Sequence, residues 1–239
     1  MGVTGMGVTG RGLLILAAGL LPTATLAPVP TAAATTIRLG GVRVSLLPGT
    51  TQVITVNRTR TWHARVTLWQ QNASGWQAVA RARDGRIGYG GLVAGARRHQ
   101  GTGTTPTGTY RLLGAFGTHA PATVWRLPYR EIQRGDFWVE DNGSAYYNRY
   151  RNQAGGGFRW WLKDGADTSE RLTDYPTQYE YAINTGYNFS QVRHRGAGIF
   201  LHVNGKAATA GCVSTPHWFM QAAMARLDPA REPVIAVGR

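Results

Sequence analysis

Between Gln52 and Ala82 the sequence runs through three short β-branched and apolar segments, Gln52–Asn57, Arg65–Gln70 and Trp76–Ala82, the last two separated by the turn residues Asn72-Ala73-Ser74-Gly75. Runs of that length, bounded by turn chemistry, predict a β-meander and leave no room for a long amphipathic helix. The pattern continues: Thr109–Leu113, Phe137–Glu140, Tyr179–Asn184, Ile199–Val203 and Pro233–Val237 read as further short strands. Glycine supplies 32 of 239 residues, about twice its usual ~7% share; without a Gly-X-Y period the excess means turns. One helix is expected, with Thr215 as N-cap and Pro216 at its first position, running through Trp218, Met220, Ala223 and Leu227 and stopping before Asp228-Pro229. The aromatic, polar stretch from Asp141 to Asp174 reads as a long loop insertion or lid. The expected fold class is mainly β, with few short helices.

The first 34 residues are of another kind. Only Arg11 is charged there; a ten-residue apolar run, Gly12 to Leu21, follows it, and Pro22 and small residues lead to Ala32-Ala33-Ala34. A charged start, a short apolar core and a small-residue exit predict a secretory signal peptide over residues 1–34, cleaved near Ala34. The core is short for a ~30 Å bilayer, so no stable membrane anchor is expected after cleavage. Residues 35–239 are expected to form a single catalytic domain outside the cytoplasm.

The formal net charge is +14, from 26 basic and 12 acidic residues. Such a surface attracts polyanions, among them an anionic cell wall. Only Lys163 and Lys206 are lysines and no basic run exceeds Arg97-Arg98, so the arm of a nucleic-acid binder is missing and no nucleic-acid partner is expected. The six histidines form no His-Glu-x-x-His arrangement and no second cysteine exists for a thiolate site, so neither metal nor cofactor is expected. Asp136, Glu140 and Asp141 read as loop or turn groups rather than a glycosidase pair.

Cys212 is the sole cysteine. In an exported chain a lone thiol is either a buried hydrophobe or a reactive group. Its neighbours, Thr209-Ala210-Gly211-Cys212-Val213-Ser214, favour reactivity: small residues let a carbonyl approach and leave the N–H groups of Gly211 and Cys212 facing a developing oxyanion. His202 lies ten residues upstream, at the end of the Ile199–Val203 strand. A loop of that length can return the thiol to the imidazole, which as imidazolium would lower the thiol pKa and hold the proton for a leaving group.

Ile199-Phe200-Leu201-His202 followed by Thr209-Ala210-Gly211-Cys212-Val213-Ser214 resembles the His…Ser-His-Gly-Cys signature of L,D-transpeptidases with a YkuD-type catalytic domain. Thr105-Pro106-Thr107-Gly108 resembles that family's threonine-proline-threonine-glycine segment, and Phe137-Trp138-Val139-Glu140-Asp141 with Tyr146-Tyr147-Asn148 resembles a further block of one branch. The resemblance is strongest from about residue 52. It implies a β-sandwich or barrel-like catalytic fold and an exported enzyme acting on peptidoglycan stem peptides. It also implies that Cys212 attacks the carbonyl before a terminal D-alanine, that His202 is base and acid, and that an amine or water resolves the thioester, giving cross-links or carboxypeptidase activity.

Three positions depart from the family pattern: Ala210 replaces a histidine, Val203 a glycine, and Ser214 an arginine or asparagine. Ser214 and Lys206 are expected on the substrate side, with Arg193 or Arg195 as other possible carboxylate partners, and Tyr147 and Asn148 are expected to contact substrate. The competing function class is a non-catalytic, basic wall-binding module in which Cys212 is structural.

Overall fold

The computed structural model describes residues 35–239 together with Met1, Gly2 and Gly7; the export signal expected over residues 1–34 lies outside the described residues. β1 (Thr35–Leu39) and β2 (Val42–Leu46) form a hairpin. β3 (Gln52–Arg60), β4 (His63–Asn72) and β5 (Gly75–Arg86) form the meander expected from the sequence, each longer than the apolar runs suggest. β6 (Leu92–Ala94), β7 (Thr105–Arg111), β8 (Gly114–Gly117) and β9 (Tyr129–Glu131) follow. β10 (Asp136–Trp138) pairs on its two sides with β11 (Tyr150–Asn152) and β12 (Glu170–Arg171). The chain closes with β13 (Ala182–Asn184), β14 (Phe200–Val203), β15 (Val213–Thr215), helix α1 (His217–Arg226) and β16 (Val234–Gly238).

Eleven of these strands make one sheet in the order β6-β7-β16-β3-β4-β5-β15-β14-β13-β8-β9. The central strands are covered on both faces, and the two-residue period of a strand divides their side chains between two cores. Ile54, Val56, Ile235 and Val237 join Phe219, Met220, Ala223 and Met224 of α1 in one cluster. Val53, Val234 and Ala236 join Leu39, Val42 and Val44 of the β1–β2 hairpin in the other. Double coverage is why apolar residues of β3 fall on both faces, Val53 on one and Ile54 and Val56 on the other, rather than in strict alternation.

Three readings change. Thr215 is not the N-cap of α1: it ends β15 fully buried, and Pro216 takes the N-cap position without a side-chain cap bond. The sheet's claim on Thr215 outweighs its capping preference. The Tyr179–Asn184 strand is shorter, since Gln178–Glu180 forms a 3₁₀ turn. The Asp141–Asp174 insertion contains regular structure, β11 and β12 on either side of β10, and a charge clamp. Arg159 bonds Asp141 at 2.9 Å and Asp167 at 2.6 Å, which holds the Asp141 carboxyl down at about 2. Asp141 also accepts from the Gly143 N–H at 2.9 Å, the turn chemistry expected of it.

Candidate active site

β14 and β15 run side by side and parallel, with His202 opposite Ser214 and Leu201 opposite Val213. This register sets Cys212, one residue before β15, level with Phe200. The Phe200 N–H donates to Cys212 Sγ at 3.3 Å and the thiol donates to the Gly198 carbonyl at 3.1 Å. Phe200 belongs to an aromatic cluster with Phe116, Trp138 and Tyr179, against which Cys212 packs. One side of the sulfur is thus in the core; the other opens to a cavity of about 670 Å³ that also receives His202.

His202 is 6% exposed, with Tyr179 packed edge-on at 5.5 Å. Its Nδ1 lies 2.8 Å from the Val203 carbonyl. A carbonyl only accepts, so Nδ1 carries the proton and Nε2 keeps its lone pair. Burial holds the imidazole down at about 4, so it is neutral at pH 7 and able to accept a proton. Burial also pushes the thiol pKa well up, and the nearby Glu170 charge adds to this. The resting pair is therefore neutral thiol and neutral imidazole. This reverses the sequence-based expectation of an imidazolium that lowers the thiol pKa: the core that positions both groups disfavours both charges.

The loop before Cys212 is shaped by close approach. Gly211 has φ +136°, and a Cβ there would meet an Arg98 nitrogen at 2.8 Å and the Thr104 carbonyl at 3.0 Å. Its N–H donates to Thr209 Oγ1 at 3.2 Å, so it is partly engaged; among the described residues the Cys212 N–H meets no acceptor. The Thr105 hydroxyl donates to the Gly211 carbonyl at 2.8 Å and accepts from the Gly88 N–H at 2.8 Å. The Thr-Pro-Thr-Gly segment thereby buttresses the cysteine loop.

Of the residues expected at substrate, Lys206 is exposed and lines the cavity. The other three are corrected. Ser214 lies on the same strand face as Cys212 and His202, yet it is 0% exposed, outside the cavity lining, and donates to Asn204 Oδ1 at 2.8 Å. Tyr147 is 0% exposed; its hydroxyl donates to Gln100 Oε1 at 2.6 Å and accepts from the Gly196 N–H at 2.9 Å. Asn148 is buried with every side-chain group engaged. Its Oδ1 accepts from Trp138 Nε1 at 2.9 Å and from the Gly198 N–H at 3.1 Å, and its Nδ2 donates to the Tyr187 and Asn188 carbonyls at 2.9 Å. Asn148 thus fixes the residue whose carbonyl holds the thiol.

The sequence reading missed Arg98. It is 5% exposed and lines the cavity beside Cys212. Nε donates to the Thr104 carbonyl at 2.7 Å and one terminal nitrogen to the Arg195 carbonyl at 3.2 Å; among the described residues no carboxylate forms an ion pair with it. A buried, unpaired guanidinium is costly unless an anion is to be met there. Of the other cations considered, Arg193 lies over the Tyr147 ring at 5.1 Å and Arg195 supplies only its carbonyl here.

Among curated proteins none matches this chain. A solved structure, "Structure of Bdellovibrio bacteriovorus Bd1075", is similar at 14% identity and a TM-score of 0.40, over 79% of this chain and 48% of the other. This chain spans about half the length of that one. Residues 51–235 match the YkuD model, the L,D-transpeptidase catalytic domain, a span that runs from β3 into β16 and contains Thr105, His202 and Cys212. The chain belongs to the YkuD L,D-transpeptidase catalytic-domain family.

Proposed function

We infer that the protein is an exported, cysteine-dependent L,D-transpeptidase that acts on peptidoglycan stem peptides through a thioester acyl-enzyme, with residues 1–34 as its export signal and 35–239 as one catalytic domain. The observation that carries this reading is the shared cavity of a half-buried thiol and a neutral imidazole whose Nδ1 is committed to the Val203 carbonyl. Nε2 of His202 takes the thiol proton as sulfur attacks the carbonyl before the terminal D-alanine. The C–N bond breaks, and the imidazolium returns the proton to the departing nitrogen, so D-alanine leaves as a neutral amine with its carboxylate intact and a thioester remains at Cys212. A buried imidazole with a pKa of about 4 gives up that proton readily. The Cys212 N–H, which meets no acceptor among the described residues, and the cavity-lining Arg98 guanidinium support a role in stabilising the developing oxyanion. A stem-peptide amine then resolves the thioester and forms the cross-link.

The test uses purified protein and a disaccharide-tetrapeptide, with products and protein adducts read by mass. The expected result is release of D-alanine with an acyl adduct on Cys212, lost in Cys212→Ala and slowed in His202→Ala. A folded Cys212→Ala variant that still processes the tetrapeptide would overturn the assignment and favour another catalytic centre; wild-type protein that binds sacculi and leaves the peptide intact would favour the wall-binding module.

A further inference from the structure

Two acidic side chains stand beside the thiol, and formation of the thioester uses neither. Glu140 follows β10, and Glu170 lies on β12 opposite Trp138. Both line the cavity of Cys212 and His202. They converge on Gly198, where a Cβ would meet Glu140 Oε1 at 2.7 Å and Glu170 Oε2 at 3.6 Å. Gly198 is the residue whose carbonyl accepts the Cys212 thiol, so the carboxyls sit next to the sulfur rather than across the cavity from it.

The two differ in occupancy. Glu170 accepts a hydrogen bond from the Tyr179 hydroxyl. Glu140 is pinned only by its backbone: its N–H donates to Ser169 Oγ at 3.1 Å and its carbonyl accepts from Gln100 Nε2 at 2.7 Å. Among the described residues its carboxyl oxygens meet no donor and form no ion pair. Glu140 is half-buried and lines the cavity, so its carboxyl is open to a group that enters there. The group that best satisfies a carboxylate without a protein partner is a hydrogen-bond donor of positive charge.

We propose that Glu140 receives the ammonium group of the acceptor and takes its proton, so that a free primary amine attacks the thioester at Cys212. This rests on the thioester reading above. The Glu140 carboxylate removes one proton from R–NH₃⁺. The nitrogen lone pair forms the new C–N bond, and the C–S bond breaks with its electrons passing to sulfur. A second N–H proton moves by way of His202 Nε2 to that sulfur, restoring the thiol; Glu140 then gives its proton to water. The imidazole is poorly matched to the first step, since burial keeps it near 4. Burial, with the Glu170 charge adding to it and Arg98 opposing, raises Glu140 to about 8, close to the working pH at which a base is most effective.

The experiment follows release of D-alanine and transfer of the acyl group to three acceptors: water, hydroxylamine, which is neutral near pH 7, and a peptide with a lysine ammonium. Glu140→Gln keeps the shape and removes the charge. It is expected to lower the ratio of lysine transfer to hydrolysis, and of lysine transfer to hydroxylamine trapping, about 100-fold, while Glu140→Asp recovers part of that ratio. Wild-type-level lysine transfer in Glu140→Gln overturns the proposal and leaves the thioester reading standing. An equal loss with all three acceptors also overturns it, because Glu140 would then serve acylation or folding. Wild-type protein that hydrolyses the donor and never transfers to an amine overturns it as well. Wild-type protein that forms no thioester overturns the reading beneath it together with the proposal.

Discussion

The Cys212 thiol donates its proton to the Gly198 carbonyl at 3.1 Å, so the nucleophile rests as a hydrogen-bonded thiol. Thiolate reacts and thiol does not. Iodoacetamide at pH 7 is therefore expected to form a single adduct at Cys212 more slowly than on a free cysteine of pKa ~8.5, with the rate still rising above pH 9. Alkylation faster than that of free cysteine would mean that the thiolate is formed in the resting protein.

Asn148 is expected to act on chemistry at one remove. Asn148→Ala strips the Gly198 N–H and Trp138 Nε1 of their acceptor in a buried setting. Each unmet donor costs about 1–3 kcal/mol, so urea unfolding is expected at a lower midpoint, and the thiol, its carbonyl partner now loose, is expected to acylate more slowly. An Asn148→Ala protein with wild-type stability would show that these bonds are replaced by water.

Gly211→Ala tests close approach at the cysteine loop. The added methyl meets the Arg98 guanidinium at 2.8 Å and strains a backbone of φ +136°. The expected outcome is loss of donor acylation with most of the fold retained, read as absent acyl adduct alongside a modestly lowered Tm. Full acylation would show that the loop relaxes without cost.

The carboxyl groups make stability depend on pH in a definite direction. Glu140 is raised from 4.5 to about 8 and Glu170 from 4.5 to about 7, each chiefly by burial. Between those limits the folded state binds more protons than the unfolded one, so their contribution is present at low pH and is lost as pH rises through about 7 to 8. His202, lowered from 6.5 to about 4, acts oppositely and costs stability as pH falls from 6.5 towards 4. Above pH 6.5 the glutamates act alone. Tm is therefore expected to fall between pH 6.5 and about 8.5, and Glu140→Gln, which removes a group facing Glu170 and Arg98, is expected to flatten that fall. An unchanged slope would place the Glu140 carboxyl in water.

The meander, α1 and the strand that carries His202 were legible in the sequence because each rests on local pattern: β-branched runs between turns, an apolar helix before Asp228-Pro229, a short apolar run ending at His202. What was not legible depends on register and distant packing. Ser214 shares the face of Cys212 but is covered and engaged by Asn204, and Thr215 is claimed by β15. Tyr147 and Asn148 read as part of an exposed polar-aromatic trio with Tyr146 beside Gly143, yet their polar atoms are the internal fasteners of Gly196 and Gly198. Arg98 is brought to Cys212 by the path from β6 to β7; its place three residues before Gly101, in a glycine-rich approach to the threonine-proline segment, was the one clue in the sequence. Glu140 read as a loop acid because seclusion, which changes its chemistry, has no local sequence sign.

Strand β16 lies between β3 and β7, pairing parallel with one and antiparallel with the other. A ribosome that has not yet reached Val234 therefore holds a chain whose main sheet is in two pieces, each with a bare edge. The β1–β2 hairpin and α1 lack the β16 part of the surfaces they cover until that strand arrives. Long-range pairing of this kind is slow and exposes strand edges to neighbours. The nascent domain thus completes its main sheet, and the scaffold of its active site, only once β16 has been made.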